Sequence, residues 1–283
     1  MGMGGEAETG AHARVGALDG LRGLAVAAVL LYHSQFTWMR GGFLGVSAFF
    51  TLSGFLITSL LLTQRERGVP LRRFWGRRAR RLLPAAMLAL VGVLLFAATI
   101  ATDDQLRLLR GDVIATLTYV ANWRFYASGQ SYAHLFSAPS PVLHFWSLAI
   151  EEQFYLVFPL VVALVAWLTR HTSALRRRQV LAGLLVTGIA ASIVASEVLY
   201  PRNGSARVYY GTDTRAYTFL FGAFAALSAP YLRARGRRVI AALAPVALVA
   251  VLAVMLTNEP GLLYRGGFAL IARSPTSTSG QTR

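Results

Sequence analysis

The stretch that decides the fold lies at residues 77–101 and reads RRARRLLPAAMLALVGVLLFAATIA. Four arginines are followed by a segment from 82 to 101 that contains no charged residue. A helix of about 20 apolar residues is long enough to cross the hydrocarbon core of a bilayer. Arginine clusters next to such segments mark the cytoplasmic side of a membrane protein. The stretch therefore predicts a transmembrane helix that follows a cytoplasmic, arginine-rich loop.

The composition of the whole chain also indicates a membrane protein. Hydrophobic residues make up 55% of the 283 residues and charged residues 14%, whereas soluble domains carry roughly a quarter charged residues. The mean hydropathy is +0.51. The formal net charge of +16 comes from arginine, because the chain has no lysine. The arginines lie between apolar runs and no nucleic-acid-binding motif accompanies them, so we expect no nucleic-acid partner.

Cysteine is absent from the chain. The sequence therefore excludes disulfides, a thiolate nucleophile and cysteine-ligated metals. No other constellation of metal-ligating residues stands out, and we expect neither a metal nor a permanently bound cofactor.

The alternation of apolar runs and arginine clusters predicts an all-α, polytopic transmembrane bundle. Spans are predicted at about 17–36, 43–62, 83–101, 143–168, 180–199, 215–229 and 239–256, and residues 262–272 resemble the start of an eighth span. The arginine-rich connections, 64–82 among them, are assigned to the cytoplasm, and so is the N-terminus. An outer loop is predicted at 200–214. Residues 112–123 are too short to cross and predict a re-entrant or interfacial helix.

These spans divide the chain into three parts. Residues 1–16 are expected to form a cytoplasmic tail and residues 17–272 the membrane domain. Residues 273–283 are polar and rich in serine and threonine, a composition typical of disorder. The first apolar run has no small-residue cleavage site after it, so we expect it to be retained as a span.

The first predicted span contains three ionisable residues, Asp19, Arg22 and His33. Arg22 and His33 are nearly three helical turns apart, so they share one face at a spacing of about 16 Å. Ionisable residues inside a bilayer are costly and often functional. An ion pair at the interface explains Asp19 and Arg22 without a function. For His33 a function is favoured over the alternative of a packed side chain bonded to a backbone carbonyl, because histidine exchanges protons near neutral pH.

The fourth predicted span opens with a polar stripe formed by His144, Ser147 and Glu151. Residues three and four apart lie on the same side of a helix, whereas Glu152 points about 100° away from Glu151. The stripe could pack against other helices. A buried carboxylate, however, requires a specific partner, and we expect His33 and Glu151 to meet at similar depth.

Two other groups of charged residues allow two interpretations each. Asp213 and Arg215 form either a surface ion pair at the outer end of the sixth predicted span or part of a substrate site. The arginine cluster is explained by topology and anionic lipids, or by binding of phosphate groups. Charge alone does not distinguish these for Arg77, Arg78, Arg80 and Arg81.

Several segments together resemble the acyltransferase-3 family of integral-membrane acyltransferases. The matching segments are 18–33, with Arg22 and His33 separated by ten residues, 45–57, the arginine-rich 74–84, 144–155 followed by Phe158-Pro159, and 212–222. The order and spacing of these segments carry the resemblance, which covers about residues 15–270. The family usually has ten spans, so we expect this chain to be incomplete at its C-terminus.

The resemblance implies a function and a role for each candidate residue. An acyl-CoA, often acetyl-CoA, would bind from the cytoplasm, and the acyl group would pass to a hydroxyl of a glycan or glycolipid outside the plasma membrane of a bacterium. His33 would act as general base or transient acyl carrier, supported by Glu151. Arg22 and the arginine cluster would face the donor. The residues left for the acceptor side or for structure are Asp19, Ser53, His144, Trp146, Ser147, Glu152, Asp213 and Arg215.

Three alternatives remain open at this stage. Some relatives acylate a small cytoplasmic metabolite such as a macrolide sugar. Intramembrane histidine and glutamate also suit a proton-coupled exporter of glycans or lipids, although no inverted repeat is found. The abrupt polar end after residue 272 would also fit a non-functional fragment. The acceptor, the acyl chain and the oligomeric state are not predicted.

Overall fold

The structure, a computed structural model, describes residues 16–34, 36–64, 71–129, 140–231 and 234–257. The predicted N-terminal tail up to residue 15, the partial span at 262–272 and the polar tail at 273–283 lie outside these residues. Within the described part every regular element is a helix, which confirms the all-α prediction.

Each of the first seven predicted spans falls on a helix. The helices are α1 Gly16–His33, α2 Leu44–Gln64, α3 Leu71–Thr99, α4 Asp103–Leu117, α5 Ala121–Ala127, α6 Phe145–Leu168, α7 Ala174–Tyr210, α8 Thr212–Ser228 and α9 Ala234–Thr257. Within the residues searched, α2, α3, α6 and α7 are long and apolar enough to cross a membrane. The larger predicted number of spans stays a prediction.

The segment predicted as a loop at 64–82 is helical from Leu71 onwards, and residues 65–70 lie outside the described part. Helix α3 begins at Leu71 and continues through the arginines into the apolar run as one helix of 29 residues. Pro84 is therefore inside the helix and not in its first turn. Arginine is a good helix former, so the arginines do not end the helix.

The outer loop predicted at 200–214 is also largely helical. Helix α7 runs on to Tyr210, and its backbone is interrupted at Gly204, where φ is 76° and ψ is 179°. Glycine adopts this positive φ without the steric penalty of a Cβ atom. A single residue, Gly211, separates α7 from α8, so the end of α7 turns directly onto the start of α8.

The short helix predicted at 112–123 is present as two short helices, α4 and α5. Thr102 and Gln105 form a capping box that starts α4, which satisfies backbone N–H groups at the helix end. The helices have 15 and 7 residues, which is too short for a bilayer core that requires about 20. The prediction that this region does not form a full span agrees with these lengths.

Glycines let the backbone of α2 touch two neighbouring helices. A Cβ atom added at Gly54 would overlap the carbonyl oxygen of Phe219 in α8, and one at Gly222 in α8 would overlap the carbonyl oxygen of Thr51. On the other side, a Cβ at Gly45 would overlap the carbonyl oxygen of Ala25 in α1. Small residues at helix crossings permit this close approach in membrane proteins.

Aromatic rings extend the contact to α6. Phe50 of α2 stacks on Phe219 of α8 with ring centroids 4.4 Å apart, and Phe154 of α6 stacks on the same ring at 4.4 Å. Phe50 and Phe219 are both almost completely buried. The three helices that carry most of the polar side chains described below therefore share one aromatic core.

We expect Gly54→Ala to destabilise the protein, because the new methyl group forces α2 and α8 apart. Overpacking of this kind costs about 1–3 kcal/mol. Thermal unfolding of the purified protein in detergent measures the effect as a lower Tm. Gly183→Ala is the matched control, since a Cβ there meets nothing within 4 Å, and its Tm should stay level or rise. Equal Tm changes in both variants would contradict the role given to the crossing.

Candidate active site

A cavity of about 250 Å³ lies where the end of α1, the start of α2 and the start of α6 meet. Apolar side chains form most of its wall, and two histidines and a serine supply the polar groups. Its lining residues are Val29, Leu30, His33, Val46, His144, Trp146 and Ser147. A mostly apolar cavity with a few converging polar groups is the usual form of a ligand site.

The His33 side chain is held in one orientation by its own helix. Its Nδ1 lies 2.6 Å from the carbonyl oxygen of Val29. A carbonyl oxygen only accepts hydrogen bonds, so Nδ1 carries the proton in the neutral ring and Nε2 has the basic lone pair. The ring also packs edge-on against Tyr32, with centroids 5.4 Å apart. His33 thus has the tautomer and the fixed position that a general base requires.

The ring next to His33 in the cavity belongs to His144. The two imidazole centroids are 4.8 Å apart and the ring planes are nearly perpendicular, at 82°. Ser147 lines the same cavity, which agrees with the predicted stripe on α6.

Glu151 occupies a different place from the one predicted. Its carboxylate is buried and accepts a hydrogen bond of 2.7 Å from the Ser53 hydroxyl of α2. Nη2 of Arg78 lies 3.3 Å from Glu151 and 2.6 Å from Glu152. The expected pairing of Glu151 with His33 is therefore wrong, because Glu151 is about two helical turns beyond His144 along α6.

We call Ser53, Arg78, Glu151, Glu152 and Tyr155 the carboxylate cluster. The guanidinium carbon of Arg78 lies 3.2 Å from the centroid of the Tyr155 ring, and Arg78 Nε donates to Glu152 at 2.7 Å. The cluster joins α2, α3 and α6 through charge-assisted hydrogen bonds, which are stronger than neutral ones.

The arginine cluster is divided by this arrangement. Arg78 points into the helix bundle, whereas Arg77, Arg80 and Arg81 are exposed. The sequence indicates that Arg78 points inward, because Arg78 lies one helical turn after the aromatic residues Phe74 and Trp75 and therefore on the same side of α3. Phe74 is buried, and Trp75 Nε1 donates to the backbone carbonyl of Tyr155 at 3.0 Å.

Arg22 and His33, predicted to share one face of α1, both lie on the side of α1 that meets α2. The Arg22 guanidinium lies over the ring of Phe49, 4.9 Å from its centroid, and His33 lines the cavity together with Val46. Val46 and Phe49 are one turn apart on α2. Arg22 therefore contacts an aromatic ring, and Asp19 is exposed.

Asp213 and Arg215 do not pair with each other. Both carboxylate oxygens of Asp213 accept hydrogen bonds from Arg207, at 2.9 and 2.7 Å. Arg215 is only 8% exposed and donates to the carbonyl oxygen of Tyr209 at 3.2 Å and to the Ser47 hydroxyl at 3.1 Å. The interpretation of Asp213 and Arg215 as a surface ion pair is therefore wrong. The sequence analysis does not find Arg207 as the partner of Asp213, because it predicts a loop for the segment that contains Arg207.

A network of amide side chains around Gln153 is another feature that the sequence analysis missed. Gln153 Nε2 donates to the carbonyl oxygen of Tyr119 at 2.7 Å and to Asn122 at 3.0 Å. Asn122 in turn donates to the carbonyl oxygen of Tyr210 at 2.9 Å. Tyr119 has a φ of 55°, an uncommon conformation for an aromatic residue. The network attaches α5 and the end of α7 to α6, close to Trp146.

Comparison with known proteins identifies the family. A family model described as an acyltransferase domain matches residues 15–274. The chain belongs to the acyltransferase-3 family. The resemblance seen in the sequence is thereby confirmed, and the cavity lies at the two family segments that contain His33 and His144.

Named relatives extend the comparison. The chain is 40% identical over 269 residues to peptidoglycan O-acetyltransferase OatA of Listeria monocytogenes, covering 91% of this chain and 42% of that protein. It is 39% identical over 273 residues to YrhL of Bacillus subtilis, provisionally named a peptidoglycan O-acetyltransferase, covering 92% of this chain and 42% of that protein. The chain thus spans less than half the length of these relatives. No solved structure matches it significantly.

We expect Arg78→Ala to lower stability much more than Arg80→Ala. Removal of Arg78 leaves two carboxylates without their cation, and breaking a buried ion pair costs about 3–5 kcal/mol. Arg80 is exposed, and exposed substitutions usually stay within about 0.5 kcal/mol. The yield of folded protein and its Tm in detergent measure the difference.

A second substitution distinguishes charge from packing at this position. Glu152→Gln in the Arg78→Ala background removes one of the stranded charges, so part of the lost Tm should return. A double variant no more stable than Arg78→Ala would contradict the electrostatic explanation.

Proposed function

We propose that this chain forms the membrane domain of an O-acyltransferase that moves an acetyl group from cytoplasmic acetyl-CoA to a hydroxyl of an envelope glycan, with peptidoglycan as the leading candidate. The observation that carries the proposal is the cavity around His33, in which a histidine of fixed tautomer lines a mostly apolar, partly open space. Family membership supports acyl transfer, and the names of the relatives support an acetyl group and peptidoglycan.

His33 would supply the base for this reaction. Nε2 takes the proton of the acceptor hydroxyl while the hydroxyl oxygen attacks the carbonyl carbon of the thioester. The carbon–sulfur bond breaks, and the coenzyme thiolate leaves and takes the proton from the His33 imidazolium, which returns the base to its neutral form. General base catalysis of this kind contributes about 10²–10⁴-fold to a rate. His144, whose ring contacts that of His33, would limit the positions that the charged imidazole can adopt.

The size of the cavity indicates which part of each substrate it would hold. Its volume of about 250 Å³ is below the usual range for a whole drug-sized ligand, about 300–1,000 Å³. It suits the acetyl end of the thioester together with the accepting hydroxyl. The rest of the donor would extend along α1 past Arg22. The exposed Arg77, Arg80 and Arg81 would bind its phosphates, because guanidinium groups match phosphate oxygens in pairs.

We expect His33→Ala to abolish glycan O-acetylation, since the reaction loses its base. The measurement is the amount of ester-linked acetate on purified envelope glycans, by mass spectrometry, from cells whose only functional copy is the full-length protein with or without the substitution. The matched control is His171→Ala, because His171 is an exposed histidine just beyond α6. Acetylation at the wild-type level in the His33 variant, at equal protein abundance, would exclude the proposed role.

We also expect the two ends of the proposed pathway to open on opposite sides of the membrane. The chain has no cysteine, so single substitutions report accessibility cleanly. Ser34→Cys, at the exposed end of α1, should react with a membrane-impermeant maleimide in intact cells. Ala79→Cys, exposed among the arginines of α3, should react only after permeabilisation. Labelling of both positions from the same side would contradict transfer across the membrane.

A further inference from the structure

Arg215 is a buried cation whose described partners are all uncharged. The side chain is 8% exposed, and its hydrogen bonds go to the Tyr209 carbonyl oxygen and the Ser47 hydroxyl. Its guanidinium carbon also lies 4.9 Å from the centroid of the Tyr209 ring and 6.0 Å from that of Trp146. An arginine has five N–H donors, so these two hydrogen bonds use less than half of its capacity.

The carboxylates that could neutralise Arg215 are engaged elsewhere. Within the described ranges, the ion pairs join Arg78 to Glu151 and Glu152, Arg124 to Asp112, and Arg207 to Asp213. Asp213 is the carboxylate nearest to Arg215 in sequence, but both of its oxygens are bound by Arg207. Arg215 thus contributes a positive charge that the described carboxylates do not compensate.

This charge lies directly behind the cavity. Trp146 forms part of the cavity wall, and its ring centroid lies 6.0 Å from the guanidinium carbon of Arg215. Ser47, which receives the hydrogen bond, follows Val46, another residue of the wall. Burying an ion in apolar surroundings costs several kcal/mol when no opposite charge is near, and an intramembrane ionisable residue generally has a function.

We propose that Arg215, oriented by Ser47, is the anion-binding group of the acceptor site and selects acceptors that carry a carboxylate or a phosphate beside the accepting hydroxyl. A guanidinium matches both anions through paired N–H donors, and an anion at this point would supply the missing negative charge. The inference rests on the proposed function, because it assigns the His33 cavity to the acceptor. It adds a recognition residue that acts on binding and not on the proton transfer.

The test measures ligand binding by thermal stabilisation of the purified protein in detergent at constant ionic strength. The probes are glucose, which is neutral, glucuronic acid, which adds a carboxylate, and glucose 1-phosphate, which adds a phosphate. Wild-type protein should be stabilised by one or both acidic sugars at concentrations at which glucose has no effect. A response to glucuronic acid alone indicates carboxylate-bearing acceptors, and a response to glucose 1-phosphate alone indicates phosphate-bearing ones.

Arg215→Gln should weaken binding of the acidic sugar at least tenfold, which corresponds to about 1.4 kcal/mol. Arg215→Lys, which keeps the charge without the planar fork, should retain part of the preference. Arg176→Gln removes the same charge at an exposed position and should bind like the wild type. If Arg215→Gln does not fold, the comparison of the three sugars on the wild-type protein is the test. A wild-type protein that the acidic sugars stabilise no more than glucose does overturns the inference.

The remaining outcomes separate this inference from the proposed function. An unchanged preference in folded Arg215→Gln overturns the inference alone, whatever the activity of the protein. Conversely, a preference that depends on Arg215 supports the anion site even if His33→Ala leaves glycan acetylation intact, in which case only the proposed reaction is wrong.

Discussion

The arrangement of this protein depends on the contact between the backbones of α2 and α8 at Gly54 and Gly222. Because neither position has room for a Cβ atom, the crossing point of the two helices is determined by the sequence. Three of the contacts described above involve residues of α2 near this crossing. The Ser47 hydroxyl accepts a hydrogen bond from Arg215, and the Ser53 hydroxyl donates one to Glu151. The ring of Phe49 packs against the guanidinium of Arg22. A displacement of α2 would therefore disturb the cavity and both buried charge sites together.

The protein handles its buried charges in two different ways. Arg78 is enclosed by two carboxylates and an aromatic ring, which is the usual condition for an ion inside a membrane protein. Arg215 is surrounded by a carbonyl oxygen, a hydroxyl and two aromatic rings. The first arrangement attaches the arginine-rich start of α3 to α6 and suits a structural role. The second leaves a charge next to the cavity and suits a ligand.

The position of the histidines connects the geometry with the family. His33 ends α1 and His144 immediately precedes α6, so two segments far apart in the chain meet at one cavity. Two imidazoles in contact at the ends of two helices supply groups that can act in proton transfer, as the proposed acyl transfer to a hydroxyl requires. The relatives are more than twice as long as the matched segment. The experiments on glycans and acidic sugars therefore address which acceptor the complete protein uses.

The sequence alone determined the helical class, the positions of the apolar helices, the shared face of Arg22 and His33 and the family. These features are local, because they depend on the length of apolar runs, on 3.6-residue periodicity and on motif spacing. Only the tertiary structure decided the partners of the charged residues. Ser53 and Glu151 are 98 positions apart, and Ser47 and Arg215 are 168 apart. Periodicity shows which face a side chain is on but not which helix lies opposite. Similar depth therefore predicts a pairing of Glu151 with His33, whereas the packing of α2 and α3 against α6 places Ser53 and Arg78 beside Glu151.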